Sequence, residues 1–347
     1  MRTGPSGPKG IIAKYGGGAI VNRSVILGTG SAVPKKILTN QELETMVDTS
    51  DEWISSRTGI KQRHIAEDGE TTSLLAAEAT RQALEMAGVE PEEVDMIVVS
   101  TTSPDMIMPN TGALVQKHLG ASNAFGFDLY AACAGFVYAL SIADKFVKDK
   151  PESKVAVIGA ELLSYITDWQ DRNTCVLFGD AAGAVLVSGS NDGDRGILST
   201  HLHSDGRLWE LLYIPGGGVV YPPSAEMAEK RDHCIRMHGN EVFKHAVRSM
   251  AEVAQEALTA NELGPDDVDL FIPHQANIRI MKKVAERLEI PLERVYVNIE
   301  RYGNTSSATV PVALDELNRS GRLKPGDLIL LDAFGGGFTW GAIMMRW

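Results

Sequence analysis

One cysteine in this chain has a position suited to nucleophilic chemistry. Cys133 lies between an apolar run at 124–129, which predicts a strand, and an uncharged apolar stretch that extends to Asp144 and predicts a buried helix. A thiol at the start of a helix lies near free N–H groups and the positive end of the helix dipole, which favour the thiolate. A cysteine among alanines is also commonly an inert core residue, so its position alone leaves both roles open.

A histidine and an asparagine occupy similar positions further along the chain. His274 follows the apolar run 270–272, and Asn304 follows the run 295–299; both runs predict strands. Ligand sites in α/β sheets gather where strands end and helices begin, so we expect Cys133, His274 and Asn304 to come together. Each of the two also has an ordinary alternative when taken singly: a satisfied core histidine, and an asparagine that caps a helix.

A glycine-rich segment at 334–341 contains three consecutive glycines. Because it carries few side chains, such a backbone can approach a substrate closely and aim N–H groups at a developing oxyanion. The same residues would also form a plain tight turn. Its role therefore depends on where the fold places it.

Apolar runs that alternate with helical patterns predict an α/β fold. Besides the runs above, they lie at 96–99, 155–158 and 328–331. A gapless shift of 174 residues, which places Ala83 on Ala257 and Val94 on Val268, aligns further identities and the helical apolar pattern, so we expect an internal duplication. We therefore predict two similar halves, 23–190 and 191–347, with helices between and outside two mixed, mainly parallel sheets.

Composition limits the class of protein. At roughly 150 residues per domain, 347 residues suffice for about two domains. The 45 acidic against 33 basic residues give a formal net charge of -12, which disfavours nucleic acid and anionic membranes as partners. Three cysteines without C-x-x-C spacing argue against a disulfide framework or zinc site and indicate a reducing compartment. Residues 1–22 are glycine-rich without acidic residues, which predicts a flexible tail, with an organelle transit peptide as the weaker alternative.

Five ordered motifs carry a resemblance to a known family. They are Ala131-Ala-Cys-Ala-Gly-Phe, Phe178-Gly-Asp-Ala-Ala-Gly-Ala, His274-Gln-Ala-Asn, Tyr302-Gly-Asn-Thr-Ser-Ser and Phe334-Gly-Gly-Gly-Phe-Thr-Trp-Gly. In this order, and over 25–347, the chain resembles β-ketoacyl-[acyl carrier protein] synthase III, a family of condensing enzymes that initiates fatty-acid synthesis. The resemblance implies a duplicated thiolase-like fold with layers in the order α-β-α-β-α.

The resemblance also implies a separate catalytic role for each polar residue of the site. Cys133 would attack an acyl-CoA thioester, by default acetyl-CoA, and hold the acyl group. His274 and Asn304 would hydrogen-bond the thioester carbonyl of malonyl-[acyl carrier protein] and stabilise the enolate formed on decarboxylation. Backbone N–H groups of Cys133 and Gly336 would form the oxyanion hole. No metal and no organic redox cofactor is implied.

For coenzyme A, the segment 49–59 is similar to the family segment whose tryptophan and arginine sandwich the adenine. Trp53 and Arg57 stand at those positions, and an aromatic face and a planar guanidinium are suited to stacking on a base. Arg172 matches another nucleotide-contacting position, although Asn173 stands where the family often has glycine. The further substrate-binding positions are Thr49, Phe243, Asn277 and Arg279, with Asn277 in the pantetheine tunnel.

A basic stripe on the helix predicted after His274 is a candidate docking surface. It consists of Arg279, Lys282, Lys283 and Arg287. In an acidic chain this stripe suits an acidic carrier protein, while a solvated helix face balanced by Glu286 and Glu289 is an equal alternative. The resemblance further implies a cytoplasmic homodimer, in which the region of Met108 helps to limit the acyl pocket, so the starter acyl group is not fixed by the sequence.

The sequence also leaves other interpretations of its function open. The nearest is a related thiolase-fold acyltransferase of secondary metabolism, or one with a longer acyl starter. A noncatalytic acyl-CoA or carrier-protein binding module is a different class, against which the intact Cys133, His274 and Asn304 argue, and a cysteine hydrolase is a third. A dinucleotide fingerprint at Gly28 is rejected because Pro34 blocks an immediate helix. The histidines within 201–238 match no common zinc spacing.

Overall fold

The structure, a computed structural model, describes residues 23–347, and the predicted tail at 1–22 lies outside them. The strands are β1 (Arg23–Ala32), β2 (Lys36–Thr39), β3 (Gln62–Ile65), β4 (Met96–Ser100), β5 (Phe125–Leu129), β6 (Val155–Leu162), β7 (Asp180–Ser190), β8 (Gly196–Ser204), β9 (Leu212–Tyr213), β10 (Arg236–Met237), β11 (Leu270–Pro273), β12 (Leu328–Gly335) and β13 (Thr339–Arg346). The helices are α1 (Asn40–Leu43), α2 (Asp51–Thr58), α3 (Thr72–Ala87), α4 (Thr111–Leu119), α5 (Gly135–Asp149), α6 (Ala225–Lys230), α7 (Gly239–Ala260), α8 (Ile278–Leu288), α9 (Ile299–Tyr302) and α10 (Thr309–Arg319).

Two central sheets organise the fold. The first has the strand order β1-β7-β6-β4-β5, and the second has the order β11-β12-β13-β8. In the first, β4 pairs in parallel with β5 and β6, whereas β7 pairs antiparallel with β1 and β6. In the second, only β11 and β12 are parallel. Both sheets are mixed, as predicted, but the expectation that parallel pairs predominate is wrong.

A short connection accounts for the antiparallel pair of β12 and β13. Only the glycine-containing residues 336–338 separate β12 from β13, and neighbouring strands joined so tightly run antiparallel because a parallel partner requires a long crossover. β7 follows β6 after a longer connection, 163–179, which contains no α-helix. These strands are apolar because both of their faces are buried, and an apolar run does not indicate strand direction.

Helices occupy the remaining three layers. α5 and α10 lie between the sheets, α3 and α4 cover the outer face of the first sheet, and α7, packed on α8, covers the outer face of the second. α5 is buried along most of its length because it contacts strands of both sheets. The thiolase-like α-β-α-β-α layering is therefore confirmed. The internal duplication and the boundary at 190 stay predictions.

The segment 295–299 is not a strand, so that prediction is wrong. Val295 forms one isolated bridge with Phe271, and the chain then enters the short helix α9. Instead of a strand partner, Asn298 bonds side chains: its N–H donates to Gln275 at 3.1 Å and its amide donates to Glu316 at 2.7 Å. The run is apolar because it is buried, and Asn304 consequently follows a helix rather than a strand.

The turn 303–308 and the helix α10 pack closely against the first sheet. A Cβ on Gly159 of β6 would lie 2.3 Å from the carbonyl oxygen of Ser307. At a second contact, the buried carboxylate of Asp315 on α10 accepts a hydrogen bond from Thr29 of β1 at 2.7 Å. These contacts fix the turn 303–308 against the first sheet.

Gly159→Ala is expected to lower the free energy of unfolding by about 1–3 kcal/mol, the usual cost of overpacking a core. The added methyl group meets backbone atoms, which cannot rotate away as a flexible side chain can. Gly193→Ala is the matched control, because a Cβ there meets no atom within 4 Å. Urea unfolding of both variants measures the difference, and equal stability would contradict the close approach.

Candidate active site

Cys133 lies in a turn of 3-10 helix, Ala132–Ala134, that leads into α5. Ala132 has a φ of 45°, in the left-handed region that costs a residue with a side chain about 1–3 kcal/mol. On the other side, Gly335 of β12 approaches so closely that a Cβ would lie 2.6 Å from the Cys133 nitrogen. Strained backbone and a glycine contact together hold the nucleophile in place.

Burial decides the protonation of this thiol. Removal from water raises the pKa of Cys133 to about 12; the neighbouring Ser306 side chain lowers it in part, and the nearby Glu161 carboxylate raises it further. The loss of hydration thus outweighs the groups that favour the thiolate, and the expected effect of the helix start stays a prediction. Cys133 is a thiol at neutral pH and must lose its proton as it reacts.

His274 directly follows β11 and is buried. Its Nδ1 lies 2.7 Å from the Thr309 hydroxyl, which is itself 3.0 Å from the Ser306 carbonyl oxygen. Burial lowers the pKa of His274 to about 3, so the imidazole is neutral at neutral pH. Because Thr309 engages Nδ1, Nε2 is the ring nitrogen left to meet a substrate.

Asn304 is oriented by its backbone and its side-chain oxygen. Its N–H donates to Leu177 at 2.8 Å, and it forms an isolated bridge with Phe178. Its Oδ1 accepts from the Ser306 N–H at 2.9 Å. A backbone N–H can only donate, so the amide orientation follows, and among residues 23–347 Nδ2 has no hydrogen-bond acceptor.

The three side chains line one cavity of about 660 Å³. Further predicted residues on its wall are Trp53, Arg57, Phe243, Asn277 and Arg279. Asn277 also caps α8, since its Oδ1 accepts from the Arg279 N–H at 2.8 Å, and the Arg279 guanidinium lies 5.5 Å from the centre of the Phe243 ring. One cavity is thus lined by Cys133, His274 and Asn304 together with aromatic and cationic side chains.

Two of the predicted substrate-binding residues do not line this cavity. The Arg172 guanidinium lies 4.6 Å from the centre of the Trp53 ring, where Arg57 also lies at 4.8 Å, and it approaches Asp48 at 3.6 Å. Thr49 is half-buried, and among the described residues its hydroxyl has no hydrogen-bond partner. Trp53 is thus an aromatic platform with two guanidinium groups close to its ring.

A second cavity, of about 370 Å³, also reaches Cys133. Apolar side chains supply much of its wall: Leu163, Ile166, Phe178, Leu212, Ile214 and Ile235. Gly336, the predicted oxyanion-hole residue, lies on the same wall. Sequence reasoning missed this cavity because its residues come from separate segments that share no spacing.

Sequence reasoning also missed three polar residues beside the reacting groups. Ser306 and Thr309 lie in or just after a recognised motif, but their contacts with Cys133 and His274 depend on the folded turn. Glu161 gave a usable signal, since it is an acidic residue near the end of an otherwise apolar strand. A buried carboxylate of that kind is rarely without a partner or a role.

The basic stripe on α8 is exposed at all four positions. Lys283 pairs with Glu286 at 2.7 Å, and among the described residues the other three form no ion pair. Within 23–347, no helix is both long and apolar enough to cross a membrane. Over the same range, no group of three or more His, Cys, Asp or Glu side chains is arranged to hold a metal ion.

Known proteins are similar to this chain over almost its whole length. The sequence profile described as 3-oxoacyl-[acyl-carrier-protein (ACP)] synthase III matches residues 127–206, and the profile of that family's C-terminal part matches residues 258–347. Beta-ketoacyl-[acyl-carrier-protein] synthase III of Xanthomonas campestris pv. campestris is 54% identical over 324 residues, which cover 93% of this chain and 98% of that relative.

Solved structures are similar as well. 3-oxoacyl-[acyl-carrier-protein] synthase III from Aquifex aeolicus VF5 superposes with a TM-score of 0.86 at 49% identity, covering 93% of this chain and 100% of that one. The priming beta-ketosynthase from the R1128 polyketide biosynthetic pathway superposes with the same TM-score at 38% identity, covering 93% and 96%. Since sequence and structure agree over nearly the full length, this chain belongs to the β-ketoacyl-[acyl-carrier-protein] synthase III family of condensing enzymes.

Proposed function

We propose that this condensing enzyme joins a short acyl-CoA, in the first instance acetyl-CoA, to malonyl-[acyl carrier protein]. The products are a β-ketoacyl-[acyl carrier protein], CO₂ and free CoA, and the reaction starts a fatty-acid chain. The observation that carries the proposal is that Cys133 lies on the walls of two cavities, one shared with His274 and Asn304 and the other largely apolar. A nucleophile with room for both a thioester and an apolar group suits acyl transfer.

In the first half-reaction, the Cys133 sulfur attacks the thioester carbonyl carbon. The bond from that carbon to the CoA sulfur breaks, and CoA leaves as a thiol. Negative charge develops on the carbonyl oxygen, and the N–H groups of Cys133 and Gly336 form the proposed oxyanion hole. The position of Gly336 on the wall of the apolar cavity supports this role.

In the second half-reaction, the malonyl thioester loses CO₂ and negative charge develops on its carbonyl oxygen. Asn304 donates to that oxygen from Nδ2, and His274 donates from Nε2. The second bond requires a proton on Nε2. The Thr309 hydroxyl donates to the Ser306 carbonyl oxygen in this structure, so it has to turn its proton to Nδ1 before Nε2 can carry one. The resulting carbanion attacks the acyl group on Cys133, whose sulfur leaves.

For CoA, the proposed adenine site is the Trp53 platform with Arg57 and Arg172. The contacts of both guanidinium groups with the Trp53 ring support this role. The proposed contacts for the rest of the substrate are Thr49, Phe243, Asn277 and Arg279. No metal and no organic cofactor takes part in the proposed reaction.

The acyl group is proposed to enter the apolar cavity next to Cys133. Its volume of about 370 Å³ exceeds the needs of an acetyl group, and this favours a longer starter as a second candidate function. Structural similarity to a priming ketosynthase of a polyketide pathway favours the same alternative. Acetyl-CoA is therefore the first starter to test in a series.

The proposed assembly is a cytoplasmic homodimer that also binds the carrier protein. Met106, Ile107 and Met108 form an exposed apolar run, which supports a second copy of the chain as the partner there. The proposed carrier-protein surface is the α8 stripe, whose exposure supports the role. Three free cysteines suit a reducing compartment.

Incubation with acetyl-CoA is expected to add one acetyl group at Cys133, and Cys133→Ala is expected to abolish condensation. Peptide mass spectrometry locates the adduct, and a series from acetyl- to decanoyl-CoA ranks the starters. Cys175→Ala is the matched control, because Cys175 is buried and lines neither cavity. Absence of an adduct with every acyl-CoA in the series would overturn the mechanism.

His274→Ala and Asn304→Ala are expected to retain acetyl transfer to Cys133 and to lower malonyl decarboxylation by about 10²–10³-fold, the usual effect of removing one oxyanion donor. Radiolabelled CO₂ release and adduct mass separate the two half-reactions. Because the lowered pKa of His274 lies at about 3, the imidazole stays neutral as pH falls from 8 to 5. Protonation of His274 should therefore not lower the decarboxylation rate between pH 8 and pH 5. Equal losses in both half-reactions would refute this division of roles.

Lys282→Glu and Arg287→Glu are expected to raise KM for malonyl-[acyl carrier protein] severalfold and to leave acetyl transfer from CoA unchanged. Charge attraction is screened by salt, so the effect should shrink at high ionic strength. Lys117→Glu, at an exposed position on α4, is the control for net charge. Steady-state kinetics at two salt concentrations measure the change, and an equal effect of Lys117→Glu would count against docking on α8.

A further inference from the structure

Helix α2 carries two residues of the proposed adenine site, Trp53 and Arg57, and both line the cavity at Cys133. Of the eight residues of α2, only Ile54 and Thr58 are buried. An element with so few buried side chains moves easily unless polar contacts hold it. The position of the Trp53 platform relative to Cys133 therefore depends on what anchors α2.

A buried asparagine holds α2 at both of its ends. Asn40, the first residue of α1, is fully buried. Its Nδ2 donates to Asp51 Oδ1, in the first turn of α2, at 2.7 Å. It also donates to the Ile60 carbonyl oxygen, just beyond the end of α2, at 2.8 Å. The bonds that Asp51 accepts from Asn40 and from the Ser55 hydroxyl lower the pKa of Asp51, so this carboxylate is ionised at neutral pH.

Arg63 of β3 in turn fixes Asn40. Its guanidinium is fully buried and donates to Asn40 Oδ1 at 2.9 Å and to the Val176 carbonyl oxygen at 2.6 Å. Burial lowers the pKa of Arg63 to about 10, so the group is charged at neutral pH. Hydrogen bonds from a cation are stronger than those between neutral groups. These two bonds therefore hold α1 firmly to the segment that contains Val176.

The same arginine packs against the turn that carries Asn304. A Cβ on Gly179 would lie 2.8 Å from the Arg63 Cβ, and a Cβ on Gly303 would lie 3.3 Å from it. Gly303 precedes Asn304 in the chain, and the Gly179 N–H donates to the Asn304 carbonyl oxygen at 3.0 Å. Arg63 thus lies between the anchor of α2 and the backbone that positions Asn304.

We propose that Arg63 is a positioning residue, which acts through Asn40 and Asp51 to keep the Trp53 platform at a fixed distance from Cys133. The inference rests on the function proposed above, in which the platform binds the adenine of CoA. The reacting thioester of CoA lies at the end of a long flexible arm, far from the adenine. Contacts with the nucleotide help to orient the reacting carbonyl only when the platform is held rigidly relative to the nucleophile.

Acetyl transfer from two thioesters tests this role, with the adduct at Cys133 measured by mass spectrometry. Acetyl-CoA engages the platform, whereas acetyl-pantetheine lacks the nucleotide and cannot. In Asp51→Ala, the second-order rate constant for acetyl-CoA is expected to fall about 10- to 100-fold, in the range for a small misplacement of a reactant. The rate constant for acetyl-pantetheine should stay that of the wild type. Arg63→Lys should behave like Asp51→Ala, because an ammonium group does not reproduce the planar donor fork of arginine.

Glu52→Ala is the matched control for charge. Glu52 is exposed and lies in the same turn of α2 as Asp51. Either alanine substitution removes one negative charge, which by itself strengthens the attraction for the phosphates of CoA. A loss of rate confined to Asp51→Ala therefore comes from the lost hydrogen bonds. Asp51→Asn keeps an oxygen that accepts from Asn40 and should recover most of the rate with acetyl-CoA.

Two results would overturn the proposal. One is an unchanged rate with acetyl-CoA in Asp51→Ala or in Arg63→Lys. The other is a loss by the same factor with both thioesters, which a general disturbance of the fold would produce. If thermal unfolding shows that Arg63→Lys does not fold, Asp51→Ala decides by the same criteria. Failure of the proposed function looks different, because the wild type would then form no adduct with acetyl-CoA or would react equally fast with both thioesters.

Discussion

The close packing of β6 on the turn 303–308 determines where the reactive groups lie. Gly159 lets the strand approach the Ser307 carbonyl, at a distance that no side chain would permit. Two residues further along the same strand, Glu161 reaches the hydroxyls of Ser306 and Ser307. The Ser306 N–H in turn orients Asn304. A shift of this turn would move the Asn304 amide and the hydroxyls bonded to Glu161 together.

Burial at this junction has opposite consequences for the two titratable groups of the site. Loss of hydration raises the pKa of Cys133 to about 12 and lowers that of His274 to about 3. Both groups are therefore neutral at neutral pH. Neutral hydrogen-bond donors are suited to a developing enolate, whereas a neutral thiol needs an acceptor for its proton before it can attack. Low hydration thus suits the decarboxylation of the malonyl thioester, whereas in acyl transfer it makes an acceptor for the Cys133 proton necessary.

Much of the fold was predictable because apolar runs report burial. The strand at 124–129 and the strand at 270–272 formed where the pattern placed them, within a residue at each end. The run 295–299 is buried as well, but Asn298 bonds to side chains rather than to a neighbouring strand. Strand direction also differed from the prediction, because an apolar run indicates burial and not the direction of the neighbouring strand. The sequence of a single segment indicates whether it is buried, whereas strand pairing also depends on the segment that lies beside it in the fold.

The sequence by itself determined the residue types of the site, its family and the layered α/β fold, because ordered motifs and hydrophobic periodicity are local properties. It also placed the cysteine, the histidine and the asparagine in loops that meet. Only the tertiary structure decided the protonation of Cys133, the apolar cavity beside it and the contact from Ser306 to Glu161. Glu161 and Ser306 are 145 residues apart in the chain. Desolvation and hydrogen-bond paths depend on atoms from distant segments, and no pattern within one segment contains them.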